Sequence, residues 1–369
     1  MRGKEFLAVL LTSVLLAACA SEPPPDFDEQ AWLEAVKATD IAKFYAPHFN
    51  EEDGTFFNPW MPRTVGRAEA QDSAADSEQR QSGRRRRGWF FRKKPEYAPW
   101  PAELYSWKEN DYSYLSKKDF NSISYAGHSS LIIKMDGETI FTDPFFSRRA
   151  LILPKNTKIK FDYSQTPDRP VILLSHNHYD HLDKKSIKAL IKKNAVFIVP
   201  LKLKSRFERW GAGEVYELDW WESIRLGSVE YTLLPAQHWS RRLGQAGGTT
   251  LWGGWLIRGS KTVYFSGDTG YFRGFEEFGS RYDIDYAIMG AGSYEPRWFM
   301  HYQHMSPDEF VRAADDLGAK VSIPMHFGVI SLSDEPLDYP LYILDEFLKG
   351  HAEYAEKIKL LRVGEYLEM

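Results

Sequence analysis

Val171-Ile172-Leu173-Leu174-Ser175-His176-Asn177-His178-Tyr179-Asp180-His181-Leu182-Asp183 is the stretch on which the fold turns. Four apolar residues lead straight into three histidines and an aspartate, the pattern of a buried strand that ends in a polar site. Alternate residues of an extended chain share a face, so His176 and His178 point the same way. Asp180 and His181 then reach round the turn. Asp183 is placed to cap a helix over 184–193, in which Ile187, Leu190 and Ile191 form the apolar stripe. The cluster therefore lies in a strand-to-helix loop.

Borderline cations such as zinc favour imidazole nitrogen and carboxylate oxygen, and this loop has donors enough for two ions. A single histidine here would be an ordinary loop residue. Three neutral rings crowded together gain little unless something binds them.

Three later segments end as this one does. The apolar run 229–234 leads to His238, 262–266 leads to Gly267-Asp268-Thr269-Gly270, and 321–325 ends at His326. Loops at one edge of a sheet are where sites are built on rigid scaffolds. Taken alone, His238 or His326 would be structural; four strand ends that each deliver a His or Asp read as one site. Further short strands are expected at 130–134 and 138–142, joined by the hairpin signal Asp136-Gly137, and at 195–199, 251–257, 261–265 and 286–289. Helical patterns fall at 307–317 and 341–348. Strands in two groups with helices outside suggest layered α/β packing.

The chain has 369 residues, 43% hydrophobic and 15% aromatic, enough for one large domain or two ordinary ones. A net charge of -4 gives no general attraction to nucleic acid, so none is expected as a partner.

Arg2 and Lys4 precede an apolar run over 6–18 that is too short to span a bilayer, which reads as an export signal. Leu16-Ala17-Ala18-Cys19 resembles the bacterial lipobox, with Cys19 as the lipidated first residue of the mature protein; the alternative is an ordinary signal peptide that contains a cysteine. Either way no thiol is left over for a metal, and any zinc site must be made of His and Asp. The expected location is the bacterial cell envelope, tethered to a membrane through the lipid on the periplasmic side. Ala20 after the cysteine favours the outer membrane.

Pro23-Pro24-Pro25 lies in an extended spacer, and 30–44 has the mix of a short amphipathic helix, with Trp32, Leu33, Val36, Ile41 and Phe44 apolar. Residues 63–83 are too polar to order themselves. The run 84–94, Arg84-Arg85-Arg86-Arg87 followed by Trp89-Phe90-Phe91 and Arg92-Lys93-Lys94, suits an anionic lipid surface and equally a solvated linker. The expected division is a lipoprotein signal peptide at 1–18, a lipidated segment with a short helix and a basic linker at 19–97, and a catalytic domain at 98–369.

HxHxDH over 176–181, with a downstream His, Asp and His, resembles the metallo-β-lactamase superfamily. Phe57-Asn58-Pro59-Trp60, Thr142-Asp143-Pro144, the 175–183 loop, Glu217-Leu218-Asp219-Trp220-Trp221-Glu222, Gln237-His238-Trp239, the 267–271 stretch and Tyr294-Glu295-Pro296-Arg297-Trp298-Phe299-Met300 resemble its N-acylphosphatidylethanolamine-hydrolysing phospholipase D family. The likeness covers nearly everything after about residue 121. It implies an αββα sandwich with two Zn2+ at the edge between its sheets. His176, His178 and His238 are implied to hold one zinc, Asp180, His181 and His326 the other, with Asp268 bridging. His304 resembles a family histidine that lines the site and steadies the phosphate or the departing alkoxide; otherwise it is a surface residue before a helix cap at Ser306. His128, in Gly127-His128-Ser129-Ser130, is read as structural.

Departures from the family are Gly292-Ser293-Tyr294, Phe327-Gly328-Val329-Ile330 and most of 145–162. They bear on substrate, since loops shape pockets while ligands set chemistry.

The resulting expectation is a zinc phosphodiesterase that cleaves a phospholipid substrate, an N-acylphosphatidylethanolamine, to phosphatidic acid and an N-acylethanolamine. Asp180, Asp268 and His304 are the candidate catalytic residues, and Tyr179, Trp239, Tyr294 and Trp298 the candidate substrate contacts. Trp220, Trp221, Phe299 and Met300 line an acyl groove or fill the core. A homodimer is compatible with this reading. Its rivals are a zinc hydrolase of lactones or β-lactams, and an envelope lipoprotein whose zinc is not catalytic.

Overall fold

A computed structural model describes residues 27–61, 97, 99, 101, 107–109, 112–117, 120–157 and 161–369. The export signal, Cys19, the polar stretch 63–83 and the basic run 84–94 lie outside the described residues.

Thirteen strands of three residues or more form two sheets among the described residues. The first contains β1 (Ser122–Gly127), β2 (Ser130–Met135), β3 (Glu138–Thr142), β4 (Val171–Leu173), β5 (Val196–Pro200), β6 (Glu214–Leu218) and β13 (Tyr366–Glu368), in the order β6-β5-β4-β3-β2-β1-β13. The second contains β7 (Ser223–Leu226), β8 (Val229–Leu234), β9 (Gly254–Arg258), β10 (Thr262–Phe265), β11 (Tyr286–Gly290) and β12 (Val321–Met325), in sequence order. Asp136 and Gly137 both take positive φ, 53° and 83°, the backbone of a tight hairpin turn between β2 and β3.

Alternation along the strands explains the layering. On β2, Leu131, Ile133 and Met135 join the large core shared with the second sheet, while Ile132 faces a separate cluster. Strand β4 divides in the same way, Val171 and Leu173 inward, Ile172 outward. The outer cluster is closed by α2 (Lys184–Ile191) and α3 (Lys204–Trp210), through Ile187, Leu190 and Phe207. On the far side α4 (Gly274–Arg281) and, after the short α5 (Arg297–Met300), α6 (Pro307–Leu317) cover the second sheet with Phe275, Phe278, Phe310 and Leu317. The result is the expected αββα sandwich.

Asp183 caps α2 by accepting from Lys185 N at 3.1 Å. Ser306 and Glu309 form a reciprocal capping box at the start of α6. The helix expected over 184–193 stops at Ile191, and two other expected elements fall further short of their patterns. The 251–257 strand begins only at Gly254, because Leu251 N donates to Leu201 O and Gly253 N to Ser175 O, bonds that leave the second sheet for loops of the first. The 30–44 helix is α1 (Glu29–Lys37), after which Asp40 caps a separate 3-10 turn, Ile41–Tyr45. Leu33, Val36, Phe44, Phe56 and Trp60 are buried in the large core, so the described part of 19–97 shares the core of 98–369. No helix among the described residues is long and apolar enough to cross a membrane.

Candidate metal centre

The loops after β4, β8, β10 and β12 meet at one point. His178 Nδ1 lies 2.8 Å from His176 Nε2 and 3.2 Å from His238 Nε2. Asp268 Oδ2 is 3.0 Å from His181 Nε2 and 3.8 Å from both His176 Nε2 and His238 Nε2. Its other oxygen, Oδ1, is 3.1 Å from His326 Nε2. Asp180 Oδ2 completes the set at 3.3 Å from His181 Nε2 and 3.8 Å from His326 Nε2. All seven expected ligands converge, from positions spread over 176–326.

The sequence folds this way because neighbouring groups hold each loop. Ser175 Oγ donates to Asp143 Oδ2 at 2.5 Å and lies 2.8 Å from His176 Nδ1. Asp143 Oδ2 also takes His181 Nδ1 at 2.7 Å. Arg242, itself buried, donates to the carbonyls of Asn177 (2.7 Å) and Leu182 (3.1 Å), pinning the loop from outside. Gly267 has φ 59°, and a Cβ there would lie 2.5 Å from Ser175 Cβ, so only glycine brings Asp268 this close to the first loop. Gln237 accepts from Trp60 Nε1 at 3.0 Å, and Asn58 Nδ2 donates to the carbonyl of His238 at 2.9 Å.

Without a cation these groups are poorly served. Burial, then neighbouring histidines, hold His176 well below the ordinary imidazole value. Burial likewise lowers His178 to about 4, and His238 well below the usual range. Burial opposes charge on His181 too, but Asp268, Asp180 and Asp143 outweigh it and raise its pKa. His326 rises to about 9, Asp268 and Asp180 prevailing over burial. His178 Nε2, His181 Nε2, His326 Nε2 and Asp268 Oδ1 are buried with no hydrogen-bond partner. Orphaned lone pairs on converging imidazoles and carboxylates are what a bound metal satisfies. Residues present therefore fit the metal, and an all nitrogen-and-oxygen donor set suits zinc or iron.

His304 is half-buried, its ring centroid 5.3 Å from that of His238 and 5.1 Å from that of His326, so it stands over the cluster. Trp239 meets the edge of His178 at 4.7 Å between centroids. Tyr179 lies half-buried under Arg242, 3.7 Å from guanidinium to ring. Trp298 is half-buried against Phe299. Tyr294 is buried, and its backbone N donates to Glu335 at 3.2 Å rather than to any group of the cluster. Of the acyl-groove candidates, Trp220 is core, with Nε1 donating to Trp252 O, and Trp221 docks on the N-terminal segment through Phe44 O. Met300 is buried as well.

Among the contributors that escaped the sequence are two that hold the 176–181 loop. His128, read as structural, places Nε2 2.8 Å from Asp180 Oδ2. It sits at a strand end like the other histidines, and that shared position was the available signal. Arg242 carried none, since nothing in a lone arginine distinguishes a clamp from surface.

Residues 138–327, more than half of the chain, match the family described as the β-lactamase superfamily domain. An enzyme of Caenorhabditis elegans named N-acyl-phosphatidylethanolamine-hydrolyzing phospholipase D 1 is 33% identical over 238 residues, 58% of this chain and 67% of that one. A Mycobacterium tuberculosis protein, named only as uncharacterized, is 32% identical over 233 residues, 60% of this chain; the match spans 62% of that relative's length. Among solved structures, Igni18, a metallo hydrolase of Ignicoccus hospitalis, superposes with a TM-score of 0.52 at 23% identity, over 68% of this chain and 98% of that one, and shares the fold. By its fold, its ligand set and these matches, the chain belongs to the metallo-β-lactamase superfamily as one of its metal-dependent hydrolases.

Proposed function

We propose that the chain is a phospholipase D-type phosphodiesterase that uses two Zn2+ to release an N-acylethanolamine from N-acylphosphatidylethanolamine-like lipids, leaving phosphatidic acid. The observation that carries the reading is His304 over both halves of the ligand set, where a neutral imidazole N–H can reach a substrate oxygen. The name of the nematode relative supports the substrate class.

Zinc held by His176, His178 and His238, and by Asp180, His181 and His326, with Asp268 shared, would acidify water and polarise the phosphoryl oxygen. The protein does the rest. Asp143 fixes the ring of His181, and His128 fixes the carboxylate of Asp180. Neutral because burial lowers its pKa to about 3, His304 donates a hydrogen bond to the phosphoryl oxygen or to the departing ethanolamine oxygen as its bond to phosphorus breaks. The proton that completes the alcohol comes from the attacking water. Trp239, half-exposed against the ring of His178, and Trp298, half-exposed against Phe299, suit the acyl portion.

On the sequence of 1–19, the same reading tethers the chain through a lipid on Cys19 to the bacterial envelope, beside a membrane-bound substrate. Incubating the purified chain with N-acylphosphatidylethanolamine, a lactone and a β-lactam, with and without chelator, and reading products by mass spectrometry tests the reaction. Phosphatidic acid that vanishes with chelator is expected. Turnover of the cyclic substrates alone would end the phospholipase reading. Metal binding with no turnover, and an Asp268→Ala chain that unfolds, would favour a non-catalytic lipoprotein.

A further inference from the structure

Between β3 and β4 the chain makes a small hairpin that the metal chemistry leaves unused. Arg149–Ala150 pairs antiparallel with Leu153–Pro154, and Leu151 and Ile152 form the turn. Its base is fixed, since Ala150 is buried in the main core and Leu153 packs against it. Its tip is not. Leu151 is 44% and Ile152 41% exposed, the one adjacent pair of exposed large hydrophobics among the described residues.

Tight turns in water favour Asn, Asp or Gly. Leu151 moreover has φ 52°, a left-handed conformation that costs a leucine more than a glycine. Folding of this chain therefore gives no reason for apolar residues at this tip, and a partner does. Arg148 and Arg149 flank it, both exposed and without an ion pair among the described residues.

The hairpin grows out of the metal-centre edge. Ser147 N donates to Asp183 Oδ2 and Phe146 N to Ser186 Oγ, each at 3.0 Å, just beyond the 176–181 loop. Asn156 N donates to Val329 O at 2.7 Å, three residues after His326.

We propose that this hairpin is a membrane-inserting finger: Leu151 and Ile152 enter the acyl boundary of an anionic bilayer, and Arg148 and Arg149 meet its phosphates. The chemistry selects that partner. Exposed aliphatic side chains partition into hydrocarbon, while guanidinium groups bind phosphate oxygens in bidentate fashion. Each basic residue beside an anionic surface raises partitioning about fivefold. A second copy of this chain, facing the same patch, would set arginine against arginine. The inference rests on the lipid reading of the metal centre and deepens it, because the finger holds the 176–181 loop beside the membrane.

The test is a dye at the tip. Full-length chain carrying Cys19→Ala and Ile152→Cys is labelled on its single thiol with an environment-sensitive nitrobenzoxadiazole and mixed with vesicles. Emission should move to the blue with phosphatidylglycerol-containing vesicles and hardly at all with pure phosphatidylcholine. Adding Arg148→Glu and Arg149→Glu should weaken the titration about twenty-five-fold or more, the product of two basic residues at about fivefold each. In unlabelled chain, Leu151→Asp with Ile152→Asp should raise the KM for vesicle lipid about tenfold and leave hydrolysis of a water-soluble short-chain diester unchanged. A silent dye on chain that sediments with the vesicles overturns the proposal. So does a blue shift that follows protein concentration without vesicles, which makes a second copy the occupant. Failure of the lipid-hydrolase reading looks different, with the dye reporting insertion while no lipid is cleaved.

Discussion

His128 Nε2 stands 2.8 Å from Asp180 Oδ2, with the imidazole buried and its pKa lowered to about 4, first by burial and then by His326. A neutral ring at this place donates its Nε2–H to the carboxylate. The backbone carbonyl of the same residue accepts from His326 N at 3.1 Å. One residue thus holds two ligands, one by side chain and one by main chain. Ligand-orienting partners of this kind are typically worth 10 to 100-fold in metal affinity, roughly the loss expected for His128→Ala. His128→Gln, which keeps an N–H at similar reach, should recover most of it. Competition with a chromophoric chelator measures both, and equal affinities for wild type and His128→Ala would remove the positioning role.

Asp143 makes a sharper case. Its carboxylate accepts from Ser175 N at 2.7 Å, from Ser175 Oγ and from His181 Nδ1, and it is wholly buried. In Asp143→Asn the remaining oxygen can still accept from Ser175 N, but the amide NH2 then stands against two donors, Ser175 Oγ and His181 Nδ1. Breaking a buried, paired carboxylate of this kind costs on the order of 3 kcal/mol. Urea unfolding should be run on chelated protein, so that lost metal does not contribute. A midpoint within error of the parent would contradict the assignment.

Much of this was legible because strand ends and ligands coincide in the sequence. The strands at 130–134, 138–142 and 321–325, the cap at Asp183 and the helix at 307–317 follow from local pattern, and the structure keeps them. His176 to His181 read as a site because crowded imidazoles have one good explanation. What escaped was long-range. That Asn58 and Trp60 buttress the His238 loop, that Arg242 clamps the 176–181 loop and that Trp220 is core are facts of folding across 32 residues or more, with no local signature. The strand expected at 251–257 lost its first three residues for the same reason, since bonds to the other sheet's loops outcompeted the ladder.

Stability should fall in acid through a histidine outside the metal centre. His301 is buried, packs against a tilted Phe27 and edge-to-face with Trp32, and its pKa is lowered to about 4, chiefly by burial. The unfolded ring takes its proton near 6.5, so the unfolded state binds protons that the folded state refuses. The loss therefore begins as pH drops below about 6.5, grows toward pH 4 and reaches about 3 kcal/mol below that. His301→Gln keeps a donor for Arg297 O, 2.7 Å from the native Nδ1, and removes the titration. Its unfolding free energy should then change less than the parent's between pH 7 and 4.5 on chelated protein. Parallel curves for the two chains would rule His301 out.

The N-terminal segment should prove necessary to the metal centre. Trp32 Nε1 donates to the buried Glu309 at 3.2 Å, Trp60 Nε1 to Gln237 Oε1 at 3.0 Å, and Asn58 Nδ2 to His238 O at 2.9 Å. A chain beginning at residue 98 loses these bonds and the burial of Leu33, Val36, Phe44, Phe56 and Trp60, which together exceed the margin by which domains are stable. It should lack a cooperative thermal transition. Trp60→Phe isolates the part that reaches the site. The ring stays, but Gln237 Oε1 loses its donor in a buried setting, at about 1 to 3 kcal/mol, and the His238 loop loosens. Metal affinity should fall with stability in that variant, whereas Trp32→Phe, whose bond lies on α6, should lower stability and leave metal affinity alone. Differential scanning calorimetry paired with metal titration separates the two, and a shortened chain that melts cooperatively and binds metal like the parent would show the segment to be dispensable.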